Sequence, residues 1–197
     1  ITTSVLADQT YVFTGYIIDI AGNTGSSSNW TLIVDTGIPA APATPDLLAG
    51  SDTGESNSDN NTSDNTPTFN IGGCENGNTV TLSGAGLSAT GTCSSGSATI
   101  TLTTAADGTH DFRAMQTDLG SNDSPWSTAL SVVVDTSAPL APTFLTPASG
   151  STTNDNTPLI TGTGAASDSG AIMVILSGAS VVGTGRLNSL GQWSITT

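Results

Sequence analysis

The chain has no lysine. Arg113 and Arg186 are its only fixed positive charges and His110 its only histidine, against 16 acidic residues and a formal net charge of −14. That balance argues against nucleic-acid binding, because phosphate contacts need clustered Lys and Arg. It argues equally against attraction to an anionic membrane surface. Long apolar runs are missing too. No stretch approaches the roughly 20 residues of a membrane-spanning helix, so no membrane insertion is expected of this segment. One histidine is too little for a zinc site, and Cys74 and Cys93 form no C-x-x-C pair. Glutamate is nearly absent as well: apart from Glu55 and Glu75, every acidic residue is Asp. No 3.6-residue apolar period survives for more than a turn, so helix is expected to be nearly absent.

What remains is a chain dominated by Gly, Ser, Thr, Asn and Asp, with Val, Ile and Thr to build strands. Asp is a poor helix former, a good turn residue and a hard oxygen ligand. The expected class is all-β with many turns. In so acidic a chain, Cys74 and Cys93 read as a disulfide of an exported protein; the alternative is two separate buried thiols. The chain opens ITTSVLAD, with no initiator Met and no leader, and reads as a piece of a longer mature protein.

One phrase occurs twice: VDTGIPAAP at 34–42 and VDTSAPLAP at 134–142. Around it lies a longer repeat. Residues 1–25 match residues 100–124, placing Ile1 on Ile100, Asp8 on Asp107, Phe13 on Phe112, Asp19 on Asp118 and Asn23 on Asn122. SDNTPTFNIGG (63–73) matches NDNTPLITGTG (154–164), and VTLSGAGLSATGT matches VILSGASVVGTGR. The chain therefore divides into the end of one repeat (1–38), a complete repeat (39–137) and the beginning of a third (138–197). A unit of roughly 100 residues made of short strands has the size of an immunoglobulin-like β-sandwich.

Within the middle copy, strands are expected near 67–72, 78–83, 86–92, 97–103, 109–117 and 128–135. Ile100 and Leu102 alternate with Thr, and Leu130, Val132 and Val134 share a face. ADGT (106–109) marks a turn. The proline phrase reads as a short, semi-rigid joint between successive copies, since Pro39, Pro42, Pro139 and Pro142 fix φ and hold their neighbours extended.

The motifs WSITT, LADxTY, DxAGNT and VDTxxPAAP, as they stand in this chain, resemble the bacterial Ig-like tandem repeats of giant secreted surface adhesins of the RTX type. The likeness covers essentially the whole chain, and it implies tandem Ig-like sandwiches serving as stalk modules, often rigidified by Ca²⁺ near domain junctions. Residues 46–69 look like a longer variant of the region between the first two strands of such repeats. The third copy departs from the middle one by keeping only Asp155 of the acidic stretch, and the cysteines occur in the middle copy alone.

The best candidate site is that acidic stretch. Asp46, Asp52, Asp59 and Asp64, with Glu55, lie among Gly50 and Gly54. Ca²⁺ takes 6–8 oxygens from carboxylates, amides and carbonyls, and such a loop can supply them. It lacks the spacing of an EF-hand, and the competing reading is a solvated loop whose Asp side chains close turns. A second set is Asp19, Asn23 and Asp35, with Asp118, Asn122, Asp123 and Asp135 as counterparts. Each repeat ends on an Asp beside the joint, where two domains could share one Ca²⁺; otherwise Asp35 and Asp135 simply cap turns.

Trp193 is expected in a core and Trp126, beside Pro125 in a loop, to be exposed. Catalysis is hard to build, because a Ser–His–Asp set would depend on His110, whose place in the first copy is taken by Tyr11. The expected role is structural: an extracellular or bacterial cell-surface stalk whose partners are its neighbouring repeats. Two alternatives belong to other classes. One is a sugar- or ice-binding module; the other is a fibre subunit in which further copies of the chain complete one another's strands in a filament.

Overall fold

The computed structural model describes residues 5–197. It divides into two compact units, one ending at Thr136 and the other spanning Ser137–Thr197. The match of Ile1 to Ile100 lies outside the described residues.

The first unit begins with β1 (Gln9–Phe13), β2 (Tyr16–Ile18), β3 (Thr24–Ser26) and β4 (Trp30–Val34). The complete repeat follows: β5 (Asp46–Leu47), β6 (Asn61–Thr62), β7 (Thr68–Gly72), β8 (Thr79–Gly84), β9 (Leu87–Thr92), β10 (Ser97–Thr101), β11 (Gly108–Thr117) and β12 (Leu130–Val134). The strands read from alternation in the middle copy are all present, within two residues at each end. Two sheets face each other, one ordered β10-β7-β5 and the other β6-β12-β11-β8-β9. This is an Ig-like β-sandwich. The turn expected at 106–109 belongs to the connection that carries the chain from one sheet to the other.

Two short strands escaped the sequence reading. β5 runs antiparallel to β7, with Leu47 opposite Phe69, whereas β6 runs parallel to β12, with Thr62 opposite Val134. The opening strand of the domain thus starts in one sheet and finishes in the other. The acidic stretch is the crossing between them.

Alternation fills the core. Val80 and Leu82 on β8, Ile100 on β10, and Val132 and Val134 on β12 are buried, each such side chain contributing about 1.5–3 kcal/mol. Phe69 of one sheet meets Phe112 of the other with ring centroids 4.8 Å apart. Cys74 and Cys93 form the disulfide, with Cα atoms 6.0 Å apart. It joins the end of β7 to the end of β9 and so ties the two sheets together.

Segment 5–38 repeats the strand pairing of the second half of this domain, with one residue fewer between Asn23 and Ser27. Gln9 to Phe13 pair with Val34 to Trp30, as Gly108 to Phe112 pair with Val134 to Leu130. Gly15 exchanges hydrogen bonds with Ser27 as Ala114 does with Ser127: the Ser backbone N–H donates at 2.7 Å in both, and the Ser hydroxyl accepts at 2.9 and 3.0 Å.

The second unit repeats the first half: β13 (Thr143–Thr146), β14 (Leu159–Thr163), a 3₁₀ turn (Ala166–Asp168), β15 (Ile172–Ser177), β16 (Ser180–Arg186) and β17 (Gln192–Thr196). Its sheet β13-β14-β17 corresponds to β5-β7-β10, and its hairpin β15-β16 to β8-β9. Trp193 lies in its core with Met173, Ile175 and Ile195, as expected.

The sequence match needs one correction here. Laying VILSG over VTLSG puts Val174 and Leu176 on the buried Val80 and Leu82. The structure instead buries Met173 and Ile175 and exposes Val174 and Leu176. Val182 is passed over between the pairs Leu176–Val181 and Ile175–Gly183. This bulge absorbs one residue, and a one-residue shift turns every side chain of a strand to the other face. Among the described residues there is no α-helix, and no helix is long and apolar enough to cross a membrane.

Candidate functional site

The joint at residues 34–45 makes polar contacts with the segment before it and with the domain after it. β4 ends at Val34, and the Asp35 carboxylate accepts the Gly37 N–H at 3.0 Å, a local turn cap. Thr36 donates its hydroxyl to Asp8 at 2.9 Å, and its N–H reaches the same carboxylate at 3.2 Å. The next repeat copies the clasp, with Thr136 donating to Asp107 through its hydroxyl (2.7 Å) and its N–H (3.0 Å).

Beyond Thr36 the joint is docked on the middle domain. Pro39, Pro42 and Pro45 are buried, and the Ala43 N–H donates to the Gly72 carbonyl at 2.8 Å. Gln116, fully buried on β11, fastens it. Its Nε2 donates to the Ala40 carbonyl at 2.7 Å, while its Oε1 accepts the Glu75 N–H at 2.9 Å and Asn78 Nδ2 at 3.1 Å. The proline phrase is therefore the first edge of the domain rather than a spacer outside it. Sequence reasoning missed Gln116, and no signal pointed to it, since the first copy carries Ile17 at that place.

The candidate junction ligands form turns. Asp19 accepts the Asn23 N–H and Asn23 Nδ2, both at 2.8 Å. Asp118 accepts the Asn122 N–H at 2.9 Å and Asn122 Nδ2 at 3.1 Å. The Asn23 side-chain amide, and then its backbone N–H, hold the Asp19 carboxyl below the usual value; for Asp118 the Asn122 backbone N–H is the leading cause. Asn122 Nδ2 also reaches across the joint to the Asp35 carbonyl at 3.0 Å. Asp35, Asp118 and Glu75 consequently line one cleft over the joint. Asp19 and Asn23 stay apart from it at the other end of their own segment, and Asp135 lies by β6, its N–H donating to the Thr62 carbonyl at 2.8 Å. The Asp123 carboxylate accepts the Thr117 hydroxyl at 2.7 Å.

In the acidic stretch Asp46 stands exposed on β5. Asp59 accepts the Asn61 N–H at 3.1 Å. Asp64 accepts the Thr66 N–H at 2.8 Å and the Thr66 hydroxyl at 3.0 Å. Burial pushes the Asp64 carboxyl up, but the Thr66 N–H and the Ser51 and Thr66 hydroxyls outweigh it and hold it low. Asp52 differs from all of these. It is 3% exposed, its Oδ2 accepts the Asn60 N–H at 3.1 Å, and its buried Oδ1 has no partner. Among the described residues no three His, Cys, Asp or Glu side chains converge as a metal cage.

With this geometry in place, the comparison with known families is decisive for the middle repeat: residues 39–136 match the family model described as bacterial Ig-like domain. The middle repeat is a bacterial Ig-like repeat. No curated protein matched the chain. The Ig-like family is typically non-enzymatic, and His110 in this repeat has its Nε2 engaged with the Ala106 carbonyl at 2.8 Å.

Trp126 in the Ig-like repeat carries Arg113 over its ring at 4.8 Å. It is exposed, as the sequence reading has it, at 38%, and Trp30 is exposed as well, at 61%. Trp30 stands beside Phe13, ring centroids 5.8 Å apart, and Phe13 beside Tyr11 at 5.9 Å. The row looks like a sugar-stacking platform, but the counterpart of Phe13 is Phe112, fully buried in the Ig-like core. The row is thus exposed on the face that the Ig-like repeat buries.

Proposed function

We propose that the chain is a structural segment of a bacterial cell-surface adhesin or extracellular fibre, a stalk that holds a functional tip away from the cell. The observation that carries this reading is the docked joint. Three buried prolines and the Gln116–Ala40 hydrogen bond leave the connection few free dihedrals, so the segment before the joint moves with the domain after it. A module built to bind a ligand has no need of a locked connection; a spacer that transmits length does.

Calcium belongs to this proposal. Asp52 offers a buried carboxylate oxygen without a partner, and Asp35, Asp118 and Glu75 offer oxygens over the joint. Ca²⁺ would supply charge neutralisation and cross-linking at these oxygens and offset part of the self-repulsion of a chain carrying −14.

Spin labels at T31C and T90C, one on each side of the joint, test the stalk reading by pulsed electron spin resonance. A locked joint gives a narrow distance distribution that Gln116→Leu broadens; a broad distribution in the parent chain overturns the proposal. Melting with and without Ca²⁺ tests the metal. A rise in Tm that Asp52→Asn abolishes supports the Asp52 loop, and an unchanged Tm removes calcium from the account.

A further inference from the structure

One side of the complete Ig-like repeat carries no charge. Between Glu75 and Asp107 the chain has no Asp, Glu, Lys, Arg or His, and that stretch builds β8, β9 and β10. The acidic stretch from Asp46 to Asp64 belongs to β5, β6 and the crossing between them. These two strands end the same two sheets at the edges away from β10 and β9.

On the uncharged side β9 is the outermost strand. It ends the five-stranded sheet, and among the described residues it pairs with β8 alone. Gly91 lets β9 lie close against β10: a Cβ there would stand 3.0 Å from Ile100 Cγ1 and 3.3 Å from the Thr99 carbonyl oxygen. The direction of the free backbone groups follows from one hydrogen bond. The Cys93 N–H donates to the Asn78 carbonyl at 2.9 Å. Bonded and non-bonded residues alternate along an antiparallel pair. Gly91, Ala89 and Leu87 therefore bond to β8, and the N–H and C=O groups of Ser88, Thr90 and Thr92 point away from it. The side chains of these three residues are exposed as well.

Folded proteins guard such an edge with charge, proline, a bulge or a very short strand. β9 has none of these. It is six residues of LSATGT, and its register with β8 is unbroken. The corresponding strand of the Ser137–Thr197 unit, β16, has two of them. It ends in Arg186 where β9 ends in Thr92, and the bulge at Val182 interrupts its register.

We propose that β9 of one copy of this chain pairs with β9 of a second copy, antiparallel about a two-fold axis, joining two five-stranded sheets into one. A chain of net charge −14 meets its own copy with least repulsion along the side that carries no charge. The edge there is self-complementary. With Thr90 opposite Thr90 of the second copy, Ser88 falls opposite Thr92, and each pair exchanges both N–H···O bonds. The contact links copies side by side rather than end to end, and it rests neither on the stalk reading nor on calcium.

Sedimentation velocity of the full chain tests it. With a Kd on the order of 100 µM, in keeping with a small interface, the weight-average mass is expected to climb from near 19.5 kDa at about 10 µM toward twice that value at about 1 mM. Thr90→Lys and Thr90→Asp each set like charges against one another across the two-fold axis. Thr90 is exposed in the single chain, so both variants keep the parent melting curve, and each alone stays monomeric. Mixed in equal amounts they dimerise again, because Lys then faces Asp. A parent chain that stays monomeric at the upper concentration overturns the proposal, as does self-association that Thr90→Lys leaves unchanged. So does a mixture of the two variants that fails to recover the dimer.

Discussion

Asp107 holds Thr136 by two hydrogen bonds across 29 residues, and Asp8 holds Thr36 in the same way one repeat earlier. The threonine is the third letter of the recurring VDT phrase. Its aspartate opens β11, or β1 in the first copy, so the clasp fastens the exit of the last strand to the strand beside it.

Replacing Thr136 with Val removes both the hydroxyl donor and the reason for the carboxylate to turn inward. The N–H bond weakens but survives. The expected cost to the middle domain is about 1 kcal/mol, read as a lower urea midpoint at unchanged slope. Thr136→Ser keeps the donor and should restore most of the loss.

Gln116→Leu keeps the volume and deletes the hydrogen bonds to Ala40, Glu75 and Asn78. Leaving these buried groups without a partner costs about 2–4 kcal/mol. Chemical denaturation should show this loss, and proteolysis at 38–42 should accelerate as the joint lifts. Equal protease resistance in parent and variant would remove Gln116 from the joint.

Reducing the Cys74–Cys93 disulfide frees a loop between two sheets. By the chain-entropy account the domain loses about 3 kcal/mol. Calorimetry with and without reductant reads this as a lowered Tm for the transition of the middle repeat, while the Ser137–Thr197 unit, which contains no cysteine, melts unchanged.

Asp118 has its folded pKa depressed below the ordinary carboxylate value of 3.8. Its contribution to stability is present above that value and is lost as pH falls through the lower, folded pKa. Asn122→Ala removes the side-chain amide but leaves the backbone N–H that is the leading cause. The Asp118 titration, followed by carbon NMR of the carboxyl, should move upward only part of the way to 3.8. The same change also removes the Asn122 contact with the Asp35 carbonyl across the joint.

Periodicity along the chain was enough for the period of the repeat, the strands of the middle copy, the burial of Ile100, Val132 and Trp193, and the Cys74–Cys93 pairing. Each of these follows from alternation or from the count of a residue type, which are properties of neighbours in sequence. Gln116 was beyond that reach, because its partner Ala40 is 76 residues away and a buried glutamine looks the same in sequence as an exposed one. The bulge at Val182 was equally hidden: either face of β15 carries apolar residues, and only packing against Trp193 and Ile195 selects Met173 and Ile175. Asp52 and Asp59 read alike in a run of acids. The crossing of the first strand between sheets buries one carboxylate and leaves the other in solvent, since strand pairing over long separations, rather than local composition, decides what each loop residue faces.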